Sequence, residues 1–179
     1  MIRMKKRECT DQEKINSFLQ ATETGYFGVS YEDFPYVVPL NYIWYEGKIY
    51  FHGTSEGKKM EILKQNPNVC FTVSASYGTM TDPVPAKTDT AYMSVMIFGK
   101  VEPLSDTTKA TEVMQKMLEK YVPDYYHQPL SQAHLEKYRS SMGSKTSIVE
   151  IKTEIITAKE NEVEENKLFY PGRHVGVDS

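Results

Sequence analysis

From Gly25 to Ser74, aromatic and β-branched runs follow one another with turns between them and a single helical interruption, which commits this stretch to a β-meander. Tyr26-Phe27-Gly28-Val29-Ser30-Tyr31 gives way to the turn-like Glu32-Asp33, and a longer run follows from Pro35 to Tyr45. Glu46-Gly47 is a tight-turn signal and Lys48 to Thr54 reads as the next strand, so three strands are expected antiparallel in succession. Helical spacing takes over from Ser55 to Lys64, with Ser55 as the N-cap, until Asn66-Pro67 ends it. Val69 to Ser74 is a further strand.

The flanks extend the same plan. Thr10-Asp11-Gln12-Glu13 has the form of a capping box, with Thr10 as the capping hydroxyl, and it opens a helix carrying Ile15, Phe18 and Leu19 on one face. Tyr77 to Thr90 carries Gly78, Pro83 and Pro85 without periodicity and reads as a loop long enough to cover a ligand or enter an interface. Ala91 to Leu104 is a long strand. Ser105-Asp106 caps a helix with Val113, Met114, Met117, Leu118 and Tyr121 at helical spacing, stopped by Pro123. Leu130 to Arg139 is a weaker helix, and Thr146 to Ile155 alternates as a closing strand. The expected fold is mainly β, an antiparallel sheet closed into a small barrel with peripheral helices. Residues 1–155 form that domain and residues 156–179 a polar tail or arm.

Composition narrows the function. With 21 Lys+Arg against 24 Asp+Glu in 179 residues, the net charge of −3 gives no bulk attraction to nucleic acid. No apolar run approaches the roughly 20 residues of a membrane helix, and Met1 to Arg7 has no apolar region behind its charges, so a cytoplasmic protein is expected. Cys9 and Cys70 lie far apart and read as free thiols. His127 and His134 have no cysteine or His-Glu-x-x-His partner, which leaves zinc without support, and with His174 they read as surface residues. Gly53 to Lys59 does not end in a hydroxyl residue as a phosphate-binding P-loop does, and no Gly-x-Ser-x-Gly elbow occurs.

Pro35-Tyr36-Val37-Val38-Pro39-Leu40-Asn41-Tyr42, Gly47 to Thr54, Glu56-Gly57-Lys58-Lys59 and Leu63 to Phe71 together resemble the flavin-binding split-barrel proteins. Within them the string is most similar to the nitroimidazole-resistance (Nim) branch, itself similar to pyridoxamine 5′-phosphate oxidase. The resemblance implies an FMN-binding split barrel, with FAD as the other flavin, that works as a homodimer with the flavin between subunits and reduces a small organic acceptor such as a nitroimidazole. It leaves open a pyridoxamine 5′-phosphate oxidase activity and a module that binds flavin or haem without turnover. An arginine-rich C-terminus that would grip a phosphorylated substrate is missing, since only Arg173-His174 stands there behind Glu160, Glu162, Glu164 and Glu165.

The resemblance also distributes roles. Gly53, Thr54, Ser55, Lys58 and Lys59 take the flavin phosphate. The residues themselves suit an anion, because a helix opening there offers free N–H groups, hydroxyls and two ammonium groups, although a Gly-Lys-Lys string alone reads rather as a solvated helix face. The segment Val38, Pro39, Leu40, Asn41 and Tyr42 lies along the isoalloxazine ring, whereas Pro39 by itself marks a sheet edge. His52 faces the substrate as the catalytic residue, its alternative being a histidine with a satisfied hydrogen bond. Ser94 stands on a strand that touches cofactor in the family, with Met93 where a basic residue is common.

Overall fold

The computed structural model of the protein describes residues 4–54, 57–137 and 146–178. Its strands are β1 (Glu8–Cys9), β2 (Thr24–Tyr31), β3 (Phe34–Asn41), β4 (Ile43–Tyr45), β5 (Lys48–Thr54), β6 (Asn68–Met80), β7 (Asp89–Pro103) and β8 (Thr146–Asn161). The helices are α1 (Gln12–Ala21), α2 (Lys58–Gln65), α3 (Thr107–Tyr121) and α4 (Gln132–Lys137). No described helix is long and apolar enough to cross a membrane.

One antiparallel sheet runs in the order β3-β2-β6-β7-β8-β5-β4, with β1 added to β8. Its two end strands, β3 and β4, are consecutive in the chain with only Tyr42 between them. A sheet whose ends are tied through one residue has to curl until they meet, so it closes covalently at that corner without a ladder across the gap. This is the split barrel in mechanical terms. The inward residues fill it: Phe27, Phe51, Phe71, Val73, Val95, Ile97 and Ile151 are buried in one cluster with Leu19 and Phe18 of α1. A second, smaller cluster joins Ile43, Tyr50 and Ile148 to the apolar face of α3 at Ala110, Val113, Met114 and Met117.

Local chemistry explains the elements. Glu46 and Gly47 both take positive φ (49° and 73°), the pair that a two-residue hairpin turn between β4 and β5 requires. Asp106 accepts from the amides of Thr108 and Lys109 and so caps α3 as expected. At α1 the cap is Asp11 rather than Thr10: its carboxylate accepts from Lys14 N at 3.0 Å. The two candidates differ by one residue, and the stronger acceptor takes the position.

Three further expectations are corrected. β3 does not pair with β5; the run from Pro35 to Tyr45 breaks at Tyr42, and β4 alone forms the hairpin with β5. The segment from Tyr77 to Thr90 is sheet at both ends, because a bulge between Ser76 and Gly78 lets the β6–β7 ladder continue to Met80 opposite Asp89 and leaves only residues 81–88 as the connection. Gly78, at φ 122°, serves that bulge, and Pro83 and Pro85 stay in the short connection. Finally, β8 runs to Asn161, past the expected start of the tail. Beyond it the chain folds back on the end of β6, with Thr81 N donating to Lys167 O and Phe169 N to Thr79 O, both at 2.8 Å. Arg173 and Asp178, 2.5 Å apart, fasten that return.

Candidate functional site: a lysine cradle beside the split

Where the sheet is split, β5 ends and α2 begins, and Gly57 at φ 100° makes the turn into the helix without a side-chain cap. The carbonyl of Gly57 accepts from the amides of Met60 and Glu61, while among the described residues the amides of Lys58 and Lys59 have no acceptor. The Lys59 ammonium folds back over the Phe51 ring, 4.9 Å from its centre. It lies so close to Gly53 that a Cβ there would stand 3.1 Å from Nζ. The absent side chain at Gly53 is what makes room for the cation. Lys58 extends over Tyr31, 4.3 Å from the ring centre, with Tyr36 at 5.6 Å.

Among the described residues neither lysine meets a carboxylate. Burial pushes the Lys59 ammonium below the ordinary lysine range. A cation in the first turn of a helix also faces the positive end of the macrodipole. Lys59 is thus partly desolvated, adverse to its helix and without a carboxylate among the described residues, three costs that a bound anion removes together. The fit to a phosphate is good: an ammonium, free amide donors and two aromatic rings converge on one rim.

Of the ring-side segment, Tyr36, Val38 and Leu40 face the barrel and are half-buried, while Val37, Pro39 and Asn41 point outward. β3 pairs only with β2, so Pro39 sits on a sheet edge, opposite Tyr26, and gives up no ladder bond that a neighbour needs. Tyr42 leaves the candidate set. Its side chain is wholly buried, its hydroxyl donates to Leu19 O at 2.9 Å, and its ring meets Phe71 edge-on. Its backbone is engaged as well: the N–H donates to Tyr121 Oη, and the carbonyl accepts from Lys120 at 3.1 Å. Nothing of Tyr42 is free to meet a ligand.

The structure separates His52 from Lys59. Along β5, Ile49 and Phe51 point into the barrel core, so Tyr50 and His52 point to the other face. The register agrees, since His52 pairs with Ile148, which belongs with Tyr50 to the cluster under α3. Lys59 lies on the Phe51 and Gly53 side. Within one chain the two do not converge on the same face, although the ammonium's charge, after burial, still helps to lower the imidazole's pKa. His52 is therefore held toward its neutral form.

Gly53 is in the cradle, and Thr54 continues β5 opposite Thr146. Ser55 lies outside the described residues, and its expected capping role passes to Gly57. Ser94 is not in the cradle: it pairs with Ser74 and Lys159, and Lys159 and His52's partner Ile148 lie toward opposite ends of β8. Two residues were missed, Tyr31 and Tyr36. The alternation of Tyr36, Val38 and Leu40 on one face of β3 was a signal that could have found the second of them.

Comparison with known proteins agrees with the architecture. The flavocytochrome Anf3 of Azotobacter vinelandii superposes with a TM-score of 0.75 at 21% identity, covering 93% of this chain and 77% of that one. A candidate 5-nitroimidazole antibiotic resistance protein from Bacteroides thetaiotaomicron gives 0.66 at 24% identity, covering 85% of each chain. An FAD- and haem-binding protein from Mycobacterium smegmatis gives 0.70 at 13% identity, covering 88% of this chain and 74% of its own. At these identities the likeness is one of fold. No curated protein sequence matches the chain. The family model of pyridoxamine 5′-phosphate oxidase matches residues 11–160, which takes in the barrel from α1 to the end of β8, and the chain belongs to that family.

Proposed function

We propose that this chain is a cytoplasmic, homodimeric FMN-dependent oxidoreductase that passes reducing equivalents to a small organic acceptor of the nitroimidazole kind. The observation that carries the reading is the Lys59 ammonium beside Gly53, which meets no carboxylate among the described residues. Lys59, with Lys58 and the amides of α2 that have no acceptor among the described residues, holds the flavin phosphate, and Val38 and Leu40 on the edge strand β3 flank the ring. FMN supplies the hydride and electron chemistry when bound, and the protein supplies position, charge and exclusion of water. A single anion seat suits the monophosphate FMN; FAD would have to place its diphosphate at the same rim.

A second copy is supported by the outer face of the sheet. The register lines up Val37, Gly28, Cys70, Phe98 and Ile155 across five strands. Phe98 and Ile155 are 38% and 56% exposed, Val37 57%, with Tyr26 and Met96 in the next row. Gly28 leaves a hollow of about 470 Å³ there, lined by Tyr26, Val37, Cys70 and Phe98 among others. An apolar face of this extent on a sheet fits self-association.

The test is to purify the chain, identify the flavin released on heating, and follow bleaching by NADH with and without a nitroimidazole. Bound FMN that is reduced and then reoxidised by the nitro compound supports the reading; flavin that stays oxidised leaves a carrier. His52→Ala divides the role of the imidazole: lost turnover at constant flavin content places it on the acceptor side, whereas joint loss makes it structural.

A further inference from the structure

Among the described residues no ladder crosses the split: β3 pairs only with β2, β4 only with β5, and β5 with β4 and β8. The hydrogen bonds of the sheet therefore leave the spacing between β3 and β5 unset, except where Tyr42 joins β3 to β4. Val38 and Leu40 stand on one side of that gap, and Gly53 with Lys59 belongs to the other. The spacing decides whether one bound molecule can meet both.

One helix ties the two sides together. α3 rests its apolar face on Ile43 of β4, Tyr50 of β5 and Ile148 of β8. Its first half is also fastened to the β4–β5 hairpin, where Lys109 Nζ donates to Glu46 at 2.8 Å and the Tyr45 hydroxyl donates to Glu112. The last turn reaches the other side. Lys120 Nζ donates to Thr22 O and Tyr42 O, while Tyr121 Oη accepts from Tyr42 N at 2.9 Å and donates to Glu23 O. Thr22 and Glu23 lead into β2 and Tyr42 leads out of β3, whose facing ends pair as Thr24 with Asn41. Two adjacent side chains thus grip both strands of the β2–β3 hairpin at its open end. Resting on the flavin seat between β3 and Lys59, we propose that α3 is a strap across the split and that Lys120 and Tyr121 are positioning residues for the flavin. Both act through Tyr42 and β3. A strand fixed before binding spares the ligand the cost of ordering it.

Tyr121→Phe tests this, because it keeps the ring that packs on the α3 cluster and removes only the hydroxyl. Lys120→Met is the second variant. Val73→Ala, at a wholly buried position of the barrel core on β6, is the control for lost stability. Amide hydrogen exchange of the flavin-free chain and calorimetric titration with FMN are measured on each variant and on the wild type. Both strap variants should exchange faster along β3, and their FMN affinity should fall roughly threefold to tenfold, the loss of one hydrogen bond. Val73→Ala should lower the urea midpoint and bind FMN as the wild type does. Unchanged exchange along β3, unchanged affinity in both strap variants, or an equal fall in Val73→Ala would each overturn the proposal and leave the flavin reading standing. A wild type that takes up no flavin would instead overturn the reading on which the proposal rests.

Discussion

Two half-buried lysines, each at the end of a helix, have opposite fates. Lys120 lies in the last turn of α3, where the macrodipole favours a cation, and its Nζ donates to Thr22 O at 2.7 Å and Tyr42 O at 3.1 Å. Lys59 lies in the first turn of α2, where the macrodipole opposes it, and finds a ring but no acceptor among the described residues. Burial lowers both pKa values, that of Lys120 to about 8. The same side chain is a fastener where the backbone accepts its protons and, in the proposed function, a ligand seat where no described residue does. Around Lys120 every polar group is spoken for, since Tyr121 Oη accepts from Tyr42 N and lies 2.6 Å from Glu23 O, to which it donates. That corner closes the barrel; the cradle is where the barrel stays unfinished.

The largest effect expected from this contrast is at the closed corner. Tyr42→Ala removes a wholly buried aromatic ring and should cost about 3–5 kcal/mol in urea unfolding. Lys59→Met should do the reverse: hydrogen bonds to charged groups are worth about 1.5–3 kcal/mol, so FMN affinity should fall roughly tenfold to a hundredfold. Urea stability should stay level or rise, because a half-buried charge with no carboxylate among the described residues has gone. Equal losses of stability at the two sites would erase the distinction.

The pH response separates the lysines more finely. Between about 8 and the ordinary lysine value of 10.5, unfolded chains hold the proton that folded Lys120 has released. Stability should therefore rise with pH across that window, and Lys120→Met should reduce the rise in the urea midpoint, leaving the smaller part that the lowered Lys59 pKa contributes. FMN affinity should instead fall as pH rises through the lowered pKa of Lys59, since only the ammonium attracts the phosphate. The smallest effect is at Gly53. Gly53→Ala places a methyl 3.1 Å from Nζ, so the ammonium shifts and FMN affinity should drop by less than about 1 kcal/mol. The strand itself should gain roughly 0.5 kcal/mol in the same variant, measured by urea unfolding.

Much of the barrel was legible because its signals are local. Period-2 alternation marked the strands, Glu46-Gly47 the hairpin and Asp106 the α3 cap. The break at Tyr42 was hidden by an unbroken apolar run, although its trace is there: Tyr42, Ile43 and Trp44 are buried in succession, which no single strand face allows. The latch of Lys120 and Tyr121 on Tyr42 joins residues distant in sequence and leaves no periodic mark. The cradle was half legible. Lys59 and Gly53 were found through the family string, whereas Tyr31 and Tyr36 come from strands that only the closed sheet brings under Lys58. The grouping of His52 with Lys59 overlooked the parity of β5, in which His52 keeps company with Tyr50 and not with Gly53.

The most direct measurement is calorimetric titration of FMN into the flavin-stripped wild type and Lys59→Met side by side. The account predicts saturable binding by the wild type and a loss of roughly tenfold or more in the variant at unchanged urea midpoint. Equal affinity in the two proteins would contradict it, and the Lys59 ammonium would then be no seat for the flavin.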